Sequence, residues 1–161
     1  MNARRASPGK LQSSPWLVGL TTVLGDSPGT ALPLGELRFR RVLLLLDPDA
    51  DGIHASALLQ IFFLQCMRVL LEQGRVAIVH APWGEIRRPG AVPALSFHAE
   101  EYQQQCRDLG QGQGVERIRY RGLGSITPDI LERCCVNPTT RKSRVLGVAD
   151  AEHAASLFGG G

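Results

Sequence analysis

Three aspartates, Asp47, Asp49 and Asp51, lie within five residues of one another in the segment DPDADG. They directly follow the apolar run RVLLLL (Arg41–Leu46), which predicts a strand covered on both faces. Open α/β sheets bind ligands at the carboxyl ends of such strands. Crowded carboxylates repel one another, and Mg²⁺, which prefers oxygen ligands, usually takes one or two carboxylates together with a phosphate. We therefore expect a magnesium site that faces a phosphate.

Three other interpretations of this loop compete with a magnesium site. An acidic turn can cap the following helix, with Asp51 near the positive end of the helix dipole, but capping explains one carboxylate and not three. A calcium EF-hand also begins D-x-D-x-D-G, yet it needs Glu where Leu58 stands and a helix before the loop, so it is excluded. A haloacid-dehalogenase-like phosphohydrolase with an aspartyl nucleophile also has D-x-D after an apolar strand, usually with Thr or Val in place of Asp51.

The elements around the loop form a regular pattern. His54–Gln73 is apolar on nearly all sides, which predicts a long buried helix that Gly74 ends. Arg75–Ala81, RVAIVHA, predicts a second buried strand. A strand, a helix and a second strand in this order predict a βαβ unit with parallel strands and a right-handed crossover.

The second half of the chain is predicted to contain shorter elements, and residues 83–98 mainly a loop. The predicted elements are an irregular strand at Ala94–His98, a polar helix at Glu100–Leu109, a strand at Glu116–Tyr120, a helix with Thr127 as N-cap and Pro128 as its first residue, and a final helix from Asp150.

Two segments carry a resemblance to a known family. LRFRRVLLLLDPDADGIHASALLQIFFLQ resembles the strand, acidic loop and helix of the TOPRIM domain of type II topoisomerase B subunits, of the gyrase and topoisomerase IV kind. RYRGLGS and the residues after it resemble that family's R-Y-K-G-L-G segment and closing helices. The resemblance covers about residues 16–158, and two motifs in the right order make it far more specific than a lone D-x-D.

The resemblance implies a fold and a domain organisation. The fold would be a three-layer α/β/α sandwich with a mostly parallel central sheet. Residues 1–15 would be a flexible basic arm, 16–158 the TOPRIM-like domain without its first strand, and 159–161 a glycine tail.

The resemblance also implies Mg²⁺ beside a scissile DNA phosphate, with Asp47 and Asp49 as main ligands and Asp51 in support. Arg121 takes the place of the family's Lys and is the favoured phosphate contact. The full set of expected DNA contacts is Lys10, His54, Arg119, Arg121, Gly122 and Lys142. The family's attacking Tyr belongs to a partner A subunit, and neither Tyr102 nor Tyr120 matches it.

Some family residues are missing, so no catalytic residue is assigned. The family has a Glu in an E-G-D-S-A motif on an earlier strand. In one alignment Leu24 stands in its place, and in the preferred one the chain begins after that strand. Ser56 replaces a usual Arg, and Ser125 replaces the Glu of G-L-G-E. We expect that the chain alone neither hydrolyses ATP nor cleaves DNA.

Composition bounds the remaining possibilities. With 161 residues, 43% of them hydrophobic and 20% charged, the chain can form one packed domain and is not disordered. The net charge is +3, and 16 of the 18 basic residues are Arg, whose guanidinium groups suit phosphate oxygens. From charge alone, a solvated surface is the favoured interpretation. The four cysteines lack metal-ligand spacing and predict reduced thiols in a cytosolic protein. No secretory signal is evident, and Leu58–Leu71 is too short and polar to span a membrane.

Two functional hypotheses follow. In the first, the chain supplies the metal site for DNA cleavage and religation to a larger assembly, with DNA, a topoisomerase A-type subunit and an ATPase-bearing chain as partners in the cytoplasm, at the nucleoid. In the second, it is a non-catalytic DNA-binding or degenerate TOPRIM module. The absent Glu favours the second, and the retained aspartates favour a role for metal.

Overall fold

The computed structural model describes residues 15–25 and 39–157. The helices there are α1 (Pro15–Leu24), α2 (Ala50–Cys66), α3 (Arg68–Glu72), α4 (Ala99–Asp108), α5 (Pro128–Leu131) and α6 (Val148–Leu157). The strands are β1 (Val42–Leu45), β2 (Val76–Val79), β3 (Gly84–Arg87), β4 (Ala94–Ser96), β5 (Glu116–Arg119) and β6 (Ser143–Leu146). The glycine tail, Lys10 and all of the basic arm except Pro15 lie outside the described residues.

The first sheet has the strand order β1-β2-β6. The predicted strand at Arg75–Ala81 is confirmed as β2, in which Val76, Ala77 and Val79 are buried. The expectation that both faces of the first strand are covered is wrong, because only Leu44 of β1 is buried. Among the described strands, β1 stands at one end of the sheet, where a strand has a neighbour on one side only.

The predicted long helix at His54–Gln73 is two helices. α2 begins earlier, at Ala50, and α3 begins at Arg68 after a break at Met67, whose φ of −142° and ψ of 42° are not helical. Met67 is buried, whereas the residues on either side of it, Cys66 and Arg68, are exposed. The break therefore lets Met67 join the core, and no Pro or Gly marks it in the sequence.

The second sheet is antiparallel, with the order β4-β3-β5. Gly84 of β3 pairs with Ser96 of β4 on one side and with Arg119 of β5 on the other. The prediction of a loop before Ala94 is wrong here, since Gly84–Arg87 is the central strand of this sheet. The α/β class is confirmed, and this antiparallel sheet adds to the predicted parallel arrangement.

The chain divides into two compact units. The first comprises residues 1–43, 56–77 and 145–161 as far as they are described, and its buried residues include Ile61, Phe62, Phe63, Leu70, Leu71, Val76, Leu146 and Ala151. The second comprises residues 44–55 and 78–144, and its buried residues include Glu85, Ile86, Ser96, Tyr120, Ile126 and Ile130. The acidic loop and the RYRGLG segment both belong to the second unit.

Candidate functional site

The acidic loop is shaped by hydrogen bonds at the start of α2. The Gly52 N–H donates to Asp49 Oδ1 at 2.8 Å, and the Ile53 N–H donates to the Asp49 carbonyl at 3.0 Å. Asp49 therefore satisfies a backbone donor that the first helical turn leaves unpaired. The sequence suggested this capping role for Asp51, which lies exposed within the first turn of α2.

Gly52 allows the strand to turn into the helix over a very short distance. A Cβ built on Gly52 would overlap the backbone carbonyl of Asp47. Only glycine lets the start of α2 come this close to the carboxyl end of β1, so the final Gly of DPDADG is a steric requirement.

The acidic loop and the RYRGLG segment meet at Asp47. The Leu123 N–H donates to Asp47 Oδ1 at 2.7 Å, although the two residues are 76 positions apart. A Cβ on Gly122 would lie 3.2 Å from the same oxygen, so the missing side chain permits the close approach. The two motifs, which the sequence shows only as separate segments, thus form one site.

Ser125 holds the shape of residues 122–124 of the RYRGLG segment, which we call the glycine loop. Its hydroxyl donates to the Gly122 carbonyl at 2.6 Å, and its Oγ accepts from the Arg121 N–H at 3.1 Å. Residues Leu123–Ser125 form a single 3₁₀ turn. The residue that replaces the family's Glu therefore holds the shape of the loop that meets Asp47.

The three arginines near this loop differ in their surroundings. The Arg117 Nε donates to the Gly110 carbonyl at 3.0 Å. The Arg119 Cζ lies 4.1 Å from the centroid of the Trp83 ring, a cation–π contact. Arg119 and Arg121 are both exposed, and Arg121 lies just beyond β5.

Tyr120 is buried next to Glu85, a residue that the sequence did not single out. The Tyr120 side chain is 1% exposed, and Glu85 of β3 is 0% exposed. Burial, and then the Glu85 carboxylate, raise the pKa of the Tyr120 hydroxyl far above its usual value. The hydroxyl is thus neutral and out of solvent, which agrees with the view that Tyr120 is not a nucleophile. The alternation of polar and apolar residues in GEIR could have indicated a strand that contains Glu85.

Glu85 is paired with Arg87 of the same strand. The Arg87 Nη2 lies 2.5 Å from Glu85 Oε1. The contact is an ion pair without hydrogen-bond geometry, since neither carboxylate oxygen of Glu85 has a hydrogen-bond partner among the described residues. This pair places a buried charge in the sheet that adjoins the RYRGLG segment.

Two of the remaining predicted residues, His54 and Lys142, lie in the second unit. His54 is exposed on α2, three residues after Asp51. The Lys142 Nζ lies 4.0 Å from the centroid of the Phe97 ring. Lys10 lies outside the described residues.

The oxygen ligands of the acidic loop fit Mg²⁺. No group of three His, Cys, Asp or Glu side chains in the described ranges is arranged to hold a metal ion. Mg²⁺ commonly takes only one or two protein carboxylates and completes its shell with water and phosphate oxygens. The bonds from Leu123 and Gly52 use one oxygen of Asp47 and one of Asp49, and each carboxylate has a second oxygen. These two aspartates are therefore suitable ligands.

The fold is similar to that of a solved topoisomerase II domain. It matches the Plasmodium falciparum topoisomerase II DNA-binding, cleavage and re-ligation domain with a TM-score of 0.79, at 20% identity, over 99% of this chain and 22% of that one. No family model matches the sequence. Within the described residues, no helix is long and apolar enough to cross a membrane.

Sequence comparison gives a narrower result. The chain is 30% identical to the DNA gyrase B subunit of Thermotoga maritima over 158 residues, which is 98% of this chain and 24% of that protein. It is 32% identical to the gyrase B protein of Thermus thermophilus over 84% of the chain and 21% of that protein. The chain spans about a quarter of the length of these relatives. It is homologous to DNA gyrase B subunits over nearly its whole length and is a type II topoisomerase-like domain.

Proposed function

We propose that this chain is a TOPRIM-type module that binds Mg²⁺ and DNA and contributes the metal site for DNA cleavage and religation within a larger type II topoisomerase assembly. The hydrogen bond from the Leu123 N–H to Asp47 carries the proposal, because it joins the acidic loop to the glycine loop in one site. The homology to gyrase B subunits supports it.

Asp47 and Asp49 would hold the ion, with Asp51 in the first turn of α2 in support. Bound Mg²⁺ supplies charge neutralisation on the phosphate and on the oxygen that leaves or attacks. The protein sets the position of the two carboxylates through the backbone N–H groups of Leu123 and Gly52. Both carboxylates are therefore oriented by backbone groups and not by a mobile side chain.

Arg121 is the proposed contact to the DNA phosphate. Its guanidinium is exposed, and a planar fork suits two phosphate oxygens at once. Gly122 brings backbone rather than a side chain to the same place. His54, Arg119, Lys142 and Lys10 remain predicted contacts, and among these Arg119 is already engaged with Trp83.

The nucleophile for cleavage would come from another chain. Tyr120 is buried, and the Tyr102 ring packs 5.2 Å from the Trp83 ring, centroid to centroid. A topoisomerase A-type subunit would supply the tyrosine and an ATPase-bearing chain the energy of strand passage. With these partners, the proposed activity would take place in the cytoplasm, on chromosomal DNA.

A second candidate function is that of a DNA-binding module without cleavage. It is favoured by the fact that Asp47 and Asp49 already satisfy backbone donors, a structural role that requires no metal. The homology to gyrase B subunits argues against a haloacid-dehalogenase-like phosphohydrolase.

The decisive experiment compares Mg²⁺-dependent thermal stability of the wild type with Asp47→Asn and Asp49→Asn. Asn keeps an oxygen for the Leu123 or Gly52 N–H and removes the charge, so folding is spared while metal affinity is lost. When the Mg²⁺ concentration is about 100 times the Kd, binding adds about 2.7 kcal/mol to the free energy of unfolding of the wild type. This corresponds to a rise in Tm of roughly 5–10 °C. Asp108→Asn, on the exposed side of α4, is the matched control and keeps the rise.

The absence of any wild-type rise would contradict the metal site. If both Asn variants show the same rise in Tm as the wild type, the ion binds at a site other than the acidic loop. Where Mg²⁺ binds, DNA cleavage with an added A-type subunit and an ATPase-bearing chain then separates the two candidate functions. Cleavage that depends on Asp47 supports the first, and DNA binding without cleavage supports the second.

A further inference from the structure

Four basic side chains that the proposed metal site does not use occur together near the ends of β2 and β6. His80 directly follows β2, His98 is the N-cap of α4, and Lys142 directly precedes β6. The His80 and His98 ring centroids are 6.2 Å apart, and the backbone N–H of His80 donates to the backbone carbonyl of Lys142 at 2.9 Å. Arg144 of β6 adds a further positive charge that acts on His80. We call His80, His98 and Lys142 the histidine–lysine patch.

The patch is held in place without neutralising its charge. The Lys142 ammonium lies over the Phe97 ring, at 4.0 Å from the centroid, and a ring quadrupole attracts a cation without cancelling it. The Glu101 carboxylate, the acid beside Phe97, accepts a hydrogen bond of 2.6 Å from the Phe97 N–H. His98 and Lys142 are exposed, so both can reach a ligand in solvent.

We propose that the histidine–lysine patch binds a phosphate of the DNA backbone. This inference rests on the proposed function, and it extends the predicted contact at Lys142 to a three-residue phosphate site that includes His80 and His98. Ammonium and imidazolium groups donate charge-assisted hydrogen bonds to phosphate oxygens, and such contacts fix the register of a protein on DNA. Because no base edge is involved, the contact is independent of DNA sequence.

The contact is expected to depend on pH. Burial, and then the charges of His98, Arg144 and Lys142, lower the pKa of His80. The charged groups that act on His80 are His98, at the start of α4, Lys142, just before β6, and Arg144 of β6. A bound phosphate offsets the repulsion among the cations and raises the pKa of His80 in the complex. Binding then takes up a proton, so affinity rises as pH falls.

The experiment measures affinity for a short DNA duplex by fluorescence anisotropy, with Mg²⁺ omitted, at about pH 8 and about pH 6. The wild type is expected to bind several-fold more tightly at the lower pH. The double variant His80→Gln with His98→Gln loses this gain, and His153→Gln, on α6, keeps it. Lys142→Gln weakens DNA binding at both pH values. It also reduces the slope of the logarithm of the binding constant against the logarithm of salt concentration by about 0.9.

If the variants bind the duplex with the same affinity and pH dependence as the wild type, the histidine–lysine patch does not contact DNA, and the proposed function is unaffected. If the wild type binds no duplex under any condition, the proposed function fails, and the patch is judged by NMR titration with inorganic phosphate. Movement of the His80 and His98 imidazole resonances with phosphate, but not with chloride at equal ionic strength, supports the patch. Resonances that stay in place overturn it.

Discussion

Asp47 and Leu123 are joined by a hydrogen bond of 2.7 Å that spans 76 residues of sequence. This bond orients a carboxylate at the end of β1 and fixes the glycine loop against it. A substitution at either residue is therefore expected to alter both the acidic loop and the RYRGLG segment. The same geometry explains why glycine stands at positions 52 and 122, since a side chain at either position would press on Asp47.

Gly52→Ala is expected to destabilise the protein by at least about 2 kcal/mol, because the new Cβ would overlap the Asp47 carbonyl and force β1 and α2 apart. Gly124→Ala is the matched control, since a Cβ there meets nothing within 4 Å. Urea unfolding of both variants measures the difference. Equal stability of the two would show that the strand-to-helix junction tolerates a side chain.

Arg87→Ala is expected to destabilise the protein by about 2 kcal/mol, because it leaves the carboxylate of Glu85 buried without its partner. The value is set below that for a fully buried pair because the Arg87 side chain is 40% exposed. Urea unfolding measures the loss, and Arg88→Ala, at the exposed neighbouring position, changes stability little.

The double variant Arg87→Ala with Glu85→Gln tests the cause. Removal of the buried charge recovers part of the stability if the unpaired carboxylate is responsible. A double variant no more stable than Arg87→Ala alone would assign the loss to packing of the arginine stem instead.

The sequence predicted best those elements that long apolar runs define. β2 and most of α2 fall where such runs occur, and the polar helix α4 was expected within one residue at each end. β3 was missed because a strand of four residues that begins with Gly and buries a Glu does not show an apolar run. The break at Met67 was missed because its cause is burial of one side chain, without Gly or Pro.

The site was predicted in its parts and not in its connections. The aspartates and the RYRGLG segment were found by residue type and family resemblance. The hydrogen bond between Asp47 and Leu123 depends on how strands distant in sequence pair, which single-residue patterns do not encode. Asp49, and not Asp51, caps α2 because the helix begins at Ala50, four residues before the predicted start.

Mild acid is expected to destabilise the protein through His80. The pKa of His80 in the folded state lies below 6.5, the value for an unfolded chain, so below that pH the unfolded state binds more protons. Stability is therefore fully present above about pH 6.5 and falls as pH drops from there toward the folded pKa. Urea unfolding of the wild type and His80→Gln across this range checks the point. A variant that loses as much stability as the wild type would contradict it.

Cys135 is expected to resist alkylation in the native protein. Burial, and then the neighbouring Cys134, raise its pKa to about 11. At about pH 8 only about one Cys135 in a thousand is thiolate, the form that reacts. Iodoacetamide with peptide mapping should label the exposed Cys66 first, and Cys134 and Cys135 only after unfolding. Rapid native labelling of Cys135 would show that this region opens easily.

The most direct test of the central claim is an Mg²⁺ titration followed by the backbone amide resonances of Leu123 and Gly52, whose N–H groups donate to Asp47 and Asp49. The account predicts that both resonances shift in a saturable manner, and that Asp47→Asn abolishes the response, while the amide of Gly74, in the other unit, stays in place. Leu123 and Gly52 resonances that do not move at saturating Mg²⁺ would contradict a metal site at this loop.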